Sequence, residues 1–345
     1  MQNHFLSLLA LSALAINSPH VAAECFQFTQ EHVDLLSFQW NAASGTLRLM
    51  ASDDTHGALF SGDQCVVVCP ELMKFTLPAG TPFGNEGDSL WILPQSPYAD
   101  VPYVGVSAET IPAGGFNDPL TIQLKRVEGP GQFMVWQSTT FGSFDVKIDS
   151  RNGIGTDDKL TPLVGGHEHY NWGFTTSGVY RIYFQASGVR VGETTNTYSP
   201  ETPFTFHILP LKPFEMWQAT NWPCESDSSI IGPVADPDGD AAANAIEYSL
   251  GTDAKEATTN GWPVVSLVLT NGQKYGAFTY THAKAATDCV CEVEVASDIP
   301  TTNWQVLNDI FATVDNGDTE TITICDSMPV SATRQRFYRL RVTLR

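Results

Sequence analysis

Gly165-Gly-His-Glu-His-Tyr-Asn-Trp-Gly-Phe-Thr-Thr-Ser-Gly-Val-Tyr-Arg-Ile-Tyr-Phe-Gln-Ala-Ser-Gly188 carries the two signals that matter most in this chain. Its second half follows a Gly turn with Val179-Tyr-Arg-Ile-Tyr-Phe184, an alternation of period two that marks a strand buried on one face. The same alternation recurs in Thr46-Leu-Arg-Leu-Met50, Leu120-Thr-Ile-Gln-Leu124 and Phe133-Met-Val-Trp-Gln137. Turn residues separate these runs at the spacing of an antiparallel β-sandwich. The first half sets His167 and His169 two apart. In an extended strand such residues project from one face, about 7 Å apart at Cα, so both imidazoles can converge on one metal ion.

The pattern extends from Glu24 to about Leu209 without a convincing amphipathic helix, and Leu209-Pro-Leu-Lys-Pro213 reads as a linker. Beyond it, Phe214-Glu-Met-Trp-Gln-Ala-Thr-Asn-Trp222 forms a short helix, with Phe214, Trp217 and Met216 turned inward. The Ala-rich segment Ala241–Leu250 has a helical period, and Gly251 is a suitable C-cap. Strands return at Ala277–Thr281, Cys289–Val295, Glu320–Cys325 and Phe337–Thr343. The expected fold is mainly β, with two antiparallel β-sandwich domains of immunoglobulin-like or jelly-roll type. A signal peptide occupies 1–23, the first sandwich 24–210 and the second 263–345. A linker and helix–calcium loop–helix element occupies 211–262.

The signal-peptide reading rests on the apolar run Phe5–Ile16, too short to span a bilayer, and on the small residues Val21-Ala22-Ala23 before a cut. No Lys or Arg precedes Arg48, so the usual basic n-region is missing. The expectation is a secreted or cell-surface protein without a membrane span. The net charge of −20 repels nucleic acid and attracts cations. Seven cysteines in an exported chain point to disulfides. Cys65 and Cys69 could close a small loop, Cys289 and Cys291 pair more plausibly with Cys325 or Cys224, and Cys25 is the expected odd thiol.

The run Gly-Gly-His-x-His-x-Asn-Trp-x-Phe from Gly165, with His32-Val-Asp-Leu35, Trp91-Ile-Leu-Pro-Gln95 and Phe141-Gly142, resembles the repeat domain of bacterial surface-anchored proteins called choice-of-anchor M. The resemblance covers nearly all of the first half. It implies a surface location and, because members are often encoded beside zinc and manganese uptake systems, a metal-handling context. The second half resembles a C-terminal module of large secreted bacterial proteins. In that module an Asp-Pro-Asp-Gly-Asp loop and an Asn-x-x-Glu-Tyr helix precede a small β-sandwich ending in Arg-Phe-Tyr-Arg-Leu-Arg-Val.

Asp236-Pro-Asp238-Gly-Asp240-Ala-Ala242-Ala-Asn244-Ala-Ile-Glu247 fits a twelve-residue calcium loop, with side-chain oxygens from Asp236, Asp238, Asp240, Asn244 and Glu247 and the Ala242 carbonyl. The loop is similar to those of dockerin and thrombospondin type 3 repeats. It departs from them at position 6, where Ala241 replaces the usual Gly. Acidic residues at a helix N-terminus also favour the helix dipole without any metal, but three carboxylates this close would repel one another unless a cation lay between them.

His32, His167 and His169 form the second candidate set, for zinc, copper, nickel or manganese, with Asp34 or Glu168 completing the shell. His56 lies in the same half, while His207 and His282 show no companions. His167-Glu-His-Tyr-Asn171 is not a His-Glu-x-x-His protease motif, and neither a Gly-x-Ser-x-Gly elbow nor a phosphate-binding glycine loop occurs. No catalytic residues are expected.

Three readings follow. The first is a non-enzymatic cell-surface or matrix protein with structural calcium, partnered by other surface or matrix proteins or by copies of itself. The second is an accessory protein presenting a histidine-bound transition metal for capture or uptake. The third is a carbohydrate-binding module using Trp91, Tyr98, Tyr103 or Trp172 as its platform.

Overall fold

The computed structural model describes residues 25–139, 142–300, 303–333 and 335–345, so the leader expected at Met1–Ala23 and Phe141 of the quoted motif lie outside the described residues. The fold is mainly β, with 47% of residues in strands and 9% in helices, arranged in several sheets of the β-sandwich class.

Three sheets build the first half. The strand Gly178–Val189 runs near the middle of a seven-stranded sheet, between Thr202–Ile208 and Thr121–Glu128. Its alternation does what the sequence requires: Tyr180, Ile182, Phe184 and Ala186 are fully buried on one face. A five-stranded sheet contains Phe133–Ser138, Asn171–Phe174 and Ser89–Leu93. A second five-stranded sheet is ordered His167–His169, Tyr103–Ser107, His32–Asn41, Thr46–Asp53, Ala58–Phe60. One continuous core, including Phe38, Val104, Phe133, Trp172, Phe184 and Phe206, draws on all three sheets.

The sequence pattern led to an expectation of purely antiparallel sheets, and the pairing departs from it. Cys65–Cys69 pairs in parallel with both Phe26–Phe28 and Thr202–Ile208, and His32–Asn41 pairs in parallel with Tyr103–Ser107. Parallel neighbours need long crossovers, and the chain between these strands supplies them by visiting other sheets.

After a cis Leu209–Pro210 bond, helices α1 (Pro213–Asn221), α2 (Ser228–Ile231) and α3 (Asn244–Leu250) lead into a four-stranded and a three-stranded sheet. Phe278, Tyr280, Val293, Val295 and Ile324 pack between those two sheets under Leu250. In α1, Phe214 is buried and Trp217 packs beside it, but Met216 is exposed, contrary to expectation. The helix expected from Ala241 begins only at Asn244, because the preceding alanines belong to the acidic loop. Gly251 ends α3 in the left-handed conformation, as a C-cap glycine should.

The cysteine expectations are corrected. Cys25 is not the odd thiol but pairs with Cys224, tying the first strand to the segment after α1. Cys65 and Cys69 are separate buried thiols, pushed up to about 12 by burial. They stand four apart in one strand, a span of roughly 13 Å that no disulfide bridges. Cys289, Cys291 and Cys325 are also free.

Candidate metal centre

The histidine sites converge. Tyr103–Ser107 lies between His32–Asn41 and His167–His169, and the register sets Asp34 opposite Gly105 on one side and His169 opposite Gly105 on the other. Period two then places His32 beside Asp34, and His167 beside His169, on the same face of the sheet. Ligand atoms of His32, Asp34, His167 and His169 all lie within 4.8 Å of one another.

The ring nitrogens point the right way. His169 Nδ1 lies 3.0 Å from the Val104 carbonyl, which can only accept, so this nitrogen carries the proton and Nε2 keeps its lone pair. That Nε2 is 3.2 Å from His32 Nε2. His32 turns Nδ1 toward Asp54 Oδ2 at 3.3 Å. His167 Nε2 lies 2.8 Å from Asp34 Oδ1, and His32 Nε2 lies 3.7 Å from the same oxygen. Despite these short distances, Asp34 Oδ1 is buried and makes no hydrogen bond. Close but misaligned lone-pair atoms are what two ligands of one ion look like: bonds of about 2.0–2.1 Å in a tetrahedron put ligand atoms roughly 3.3 Å apart.

Glycine makes room for this. A Cβ at Gly105 would stand 2.3 Å from Asp34 Oδ1, 2.9 Å from His169 Cε1 and 3.1 Å from His167 Nε2. Gly105 is therefore the floor of the site, and Tyr103, two residues earlier, stacks on the His169 ring at 3.6 Å. Burial pushes His169 down to about 4, so its imidazole is neutral and ready to ligate at neutral pH. Burial raises the Asp34 carboxyl while His167 pulls it down. His32 and His167 keep 29% and 26% of their side-chain surface exposed, which leaves the cluster open to solvent.

Other expected ligands are sorted by the same geometry. Of the two acids considered, Asp34 joins and Glu168 does not, because Glu168 Oε2 accepts from the Tyr170 hydroxyl. His56 is occupied by Asp53, 2.6 Å from its Nδ1. Trp91 and Trp172 are buried and Tyr103 is stacked, so of the proposed carbohydrate platform only Tyr98 stands well exposed. Gly105 was missed in the sequence, where it belongs to no motif, and Tyr103 was read there only as a member of the carbohydrate platform.

The acidic loop gathers Asp236, Asp238 and Asp240 within the same 4.8 Å limit. Asp236 accepts from the Gly239 and Ala241 amides, and Asp240 accepts from Ala242. Ala241, at the position usually held by Gly, adopts a left-handed φ of 77°, so the turn is made at a strain of about 1 kcal/mol. Asn244 and Glu247 are fully buried at the start of α3. Asn244 Nδ2 donates to the Ile230 and Gly232 carbonyls, leaving its Oδ1 unpaired. Burial, then Asp238 and Asp240, push Glu247 up to about 7. Among the described residues, the buried side-chain nitrogens and oxygens left without a hydrogen bond are Asp34 Oδ1, Asp238 Oδ2, Asn244 Oδ1, Glu247 Oε2 and Trp172 Nε1. Asp34 and Asp238 belong to the two 4.8 Å groups, whereas the expected ligand Glu247 lies outside the Asp236–Asp238–Asp240 group. Native proteins rarely leave buried oxygens unpaired, and a cation is one of the few partners that resolves them.

Compared with known proteins, the chain matches no protein-family model and none of the curated proteins.

Proposed function

We propose that this protein is an exported, non-enzymatic metal-binding protein whose first half holds one transition-metal ion through His32, His167, His169 and Asp34. The observation that carries the reading is the buried, unpaired Asp34 Oδ1 beside three converging imidazoles. Three neutral nitrogens and one carboxylate suit a borderline ion such as zinc better than calcium, which prefers an all-oxygen shell. The partial exposure of His32 and His167 fits a protein that takes up and hands over its ion, in keeping with the choice-of-anchor M resemblance. The apolar Phe5–Ile16 segment and the Cys25–Cys224 disulfide support export. Metal analysis and calorimetric titration of the full chain test the reading. The His32 cluster should bind one zinc or manganese ion tightly at neutral pH and progressively less as pH falls through the imidazole range, because protons compete for the same lone pairs. His167→Ala and Asp34→Asn should each lower the stoichiometry of tightly bound metal by one ion while the protein stays folded; an unchanged stoichiometry in both would sink it.

A second, structural ion is favoured by the orphaned Glu247 Oε2 and Asn244 Oδ1 behind the acidic loop. We infer calcium there, held by Asp236, Asp238, Asp240, Asn244, Glu247 and the Ala242 carbonyl and pinning α3 to the C-terminal sheets. Chelator should lower the melting temperature and calcium should restore it, since an ion bound only by the folded state stabilises it by mass action. A melting curve indifferent to both would exclude the site.

A further inference from the structure

His282, Cys289 and Cys291, which the sequence left without a common purpose, come together at one end of the C-terminal sheets, with their ligand atoms within 4.8 Å of one another. His282 belongs to Gln273–Ala283 in the four-stranded sheet, and the cysteines belong to Cys289–Ala296 in the three-stranded sheet. The trio therefore bridges the two sheets of one sandwich, just past the connection that joins them.

Several features fit a metal better than a pair of idle thiols. Residues two apart in a strand present both sulfurs on one face, with Cα atoms about 7 Å apart, at or beyond the limit for a disulfide. The two sulfurs thus converge within 4.8 Å without being able to close an unstrained bridge. Cys289 Sγ also lies 3.2 Å from the Ala286 carbonyl. His282 Nδ1 stands 3.6 Å from Glu320 Oε1, so a carboxylate lies beside the imidazole. Asp288 adds a second carboxylate next to Cys289, so the surroundings favour a cation. All three ligands are half-buried, with Cys289 packed beside Phe214 and Tyr248 and Cys291 beside the core of the sandwich.

We propose that Cys289, Cys291 and His282 bind a thiophilic closed-shell ion, Zn(II) or Cu(I), that clips the two C-terminal sheets together. Two thiolates and an imidazole are the ligand set such ions prefer, and the set is distinct from the nitrogen–oxygen shell of the His32 cluster and the oxygen shell of the acidic loop.

Cobalt(II) loading of the full chain, purified under reductant, tests this independently of the proposed function. A thiolate ligand gives cobalt a strong near-ultraviolet charge-transfer band, whereas the His32 cluster, having no sulfur, gives none. Wild type should show the band, and Zn(II) or Cu(I) should displace it; which of the two does so at stoichiometric amounts identifies the ion. Cys289→Ser/Cys291→Ser should lose the band while His167→Ala keeps it. His282→Gln should keep the band but weaken cobalt binding by about a hundredfold. Absence of the band in the folded wild type, or its persistence in the double serine variant, would overturn the proposal.

Discussion

At the scale of single residues, the candidate metal centre depends on a side chain that stops at hydrogen. Gly105 has an ordinary backbone conformation, so its role is space alone: a methyl group there would overlap Asp34 Oδ1 and crowd two imidazoles. Gly105→Ala should therefore weaken zinc or manganese binding by about tenfold or more, in the range seen when the setting of metal ligands is disturbed. The overpacking should also lower stability by about 1–3 kcal/mol. Calorimetric titration and a thermal melt separate the two effects, and unchanged affinity would show that the ligands do not need this floor. The His32-x-Asp34 and His167-x-His169 pairs were legible because period two is a local rule. Gly105 was not, because only the insertion of its strand between the other two gives that glycine a job. His282 was misread for the same reason: its partners are neighbours across sheets rather than along the chain.

At the scale of elements, the strands were the most legible part, since alternation such as Tyr180, Ile182, Phe184 dictates which face is buried. The start of α3 was less so. Ala241–Ala243 have a high helical propensity, yet the Asp236 and Asp240 carboxylates take up the amides of Ala241 and Ala242, and the helix starts later. The strand Thr202–Ile208 carries a pH liability. His207 is buried, which pushes its imidazole down to about 4. The unfolded chain, with an ordinary histidine, takes up a proton first, so stability is full above about pH 6.5 and is lost as pH falls toward 4. His207→Gln should remove this loss. At about pH 5 the variant should be less acid-destabilised than wild type by about 2 kcal/mol, relative to each protein at neutral pH. Parallel acid melting profiles for the two proteins would contradict the buried neutral state.

At the scale of the whole molecule, the Cys25–Cys224 bridge spans a sequence separation of 199 residues. No spacing rule could have found it, because the pair meets only after the first half has folded and α1 has turned back toward the first strand. A cross-link closing so long a loop restricts the unfolded chain strongly, and its loss should cost about 2–5 kcal/mol. Cys224→Ser should lower the melting temperature, and reductant should lower that of wild type but leave the variant unmoved. An equal response of both to reductant would show that the bridge adds nothing. The parallel pairings were equally hidden in the sequence, since alternation reports which face of a strand is buried and not the direction of its neighbour.

The order of three strands in the second five-stranded sheet has a consequence for where the ion comes from. His32, Gly105 and His169 are far apart along the chain and adjacent only when the sheet is closed. A chain in which this sheet has not closed thus carries the four candidate ligands but no binding site; under the proposed function, such a chain would leave its place of synthesis without an ion. The proposed ion would then be drawn from whichever compartment the sheet closes in, and local metal abundance at that moment would weigh beside the intrinsic ranking of divalent ions for nitrogen ligands in deciding the occupant.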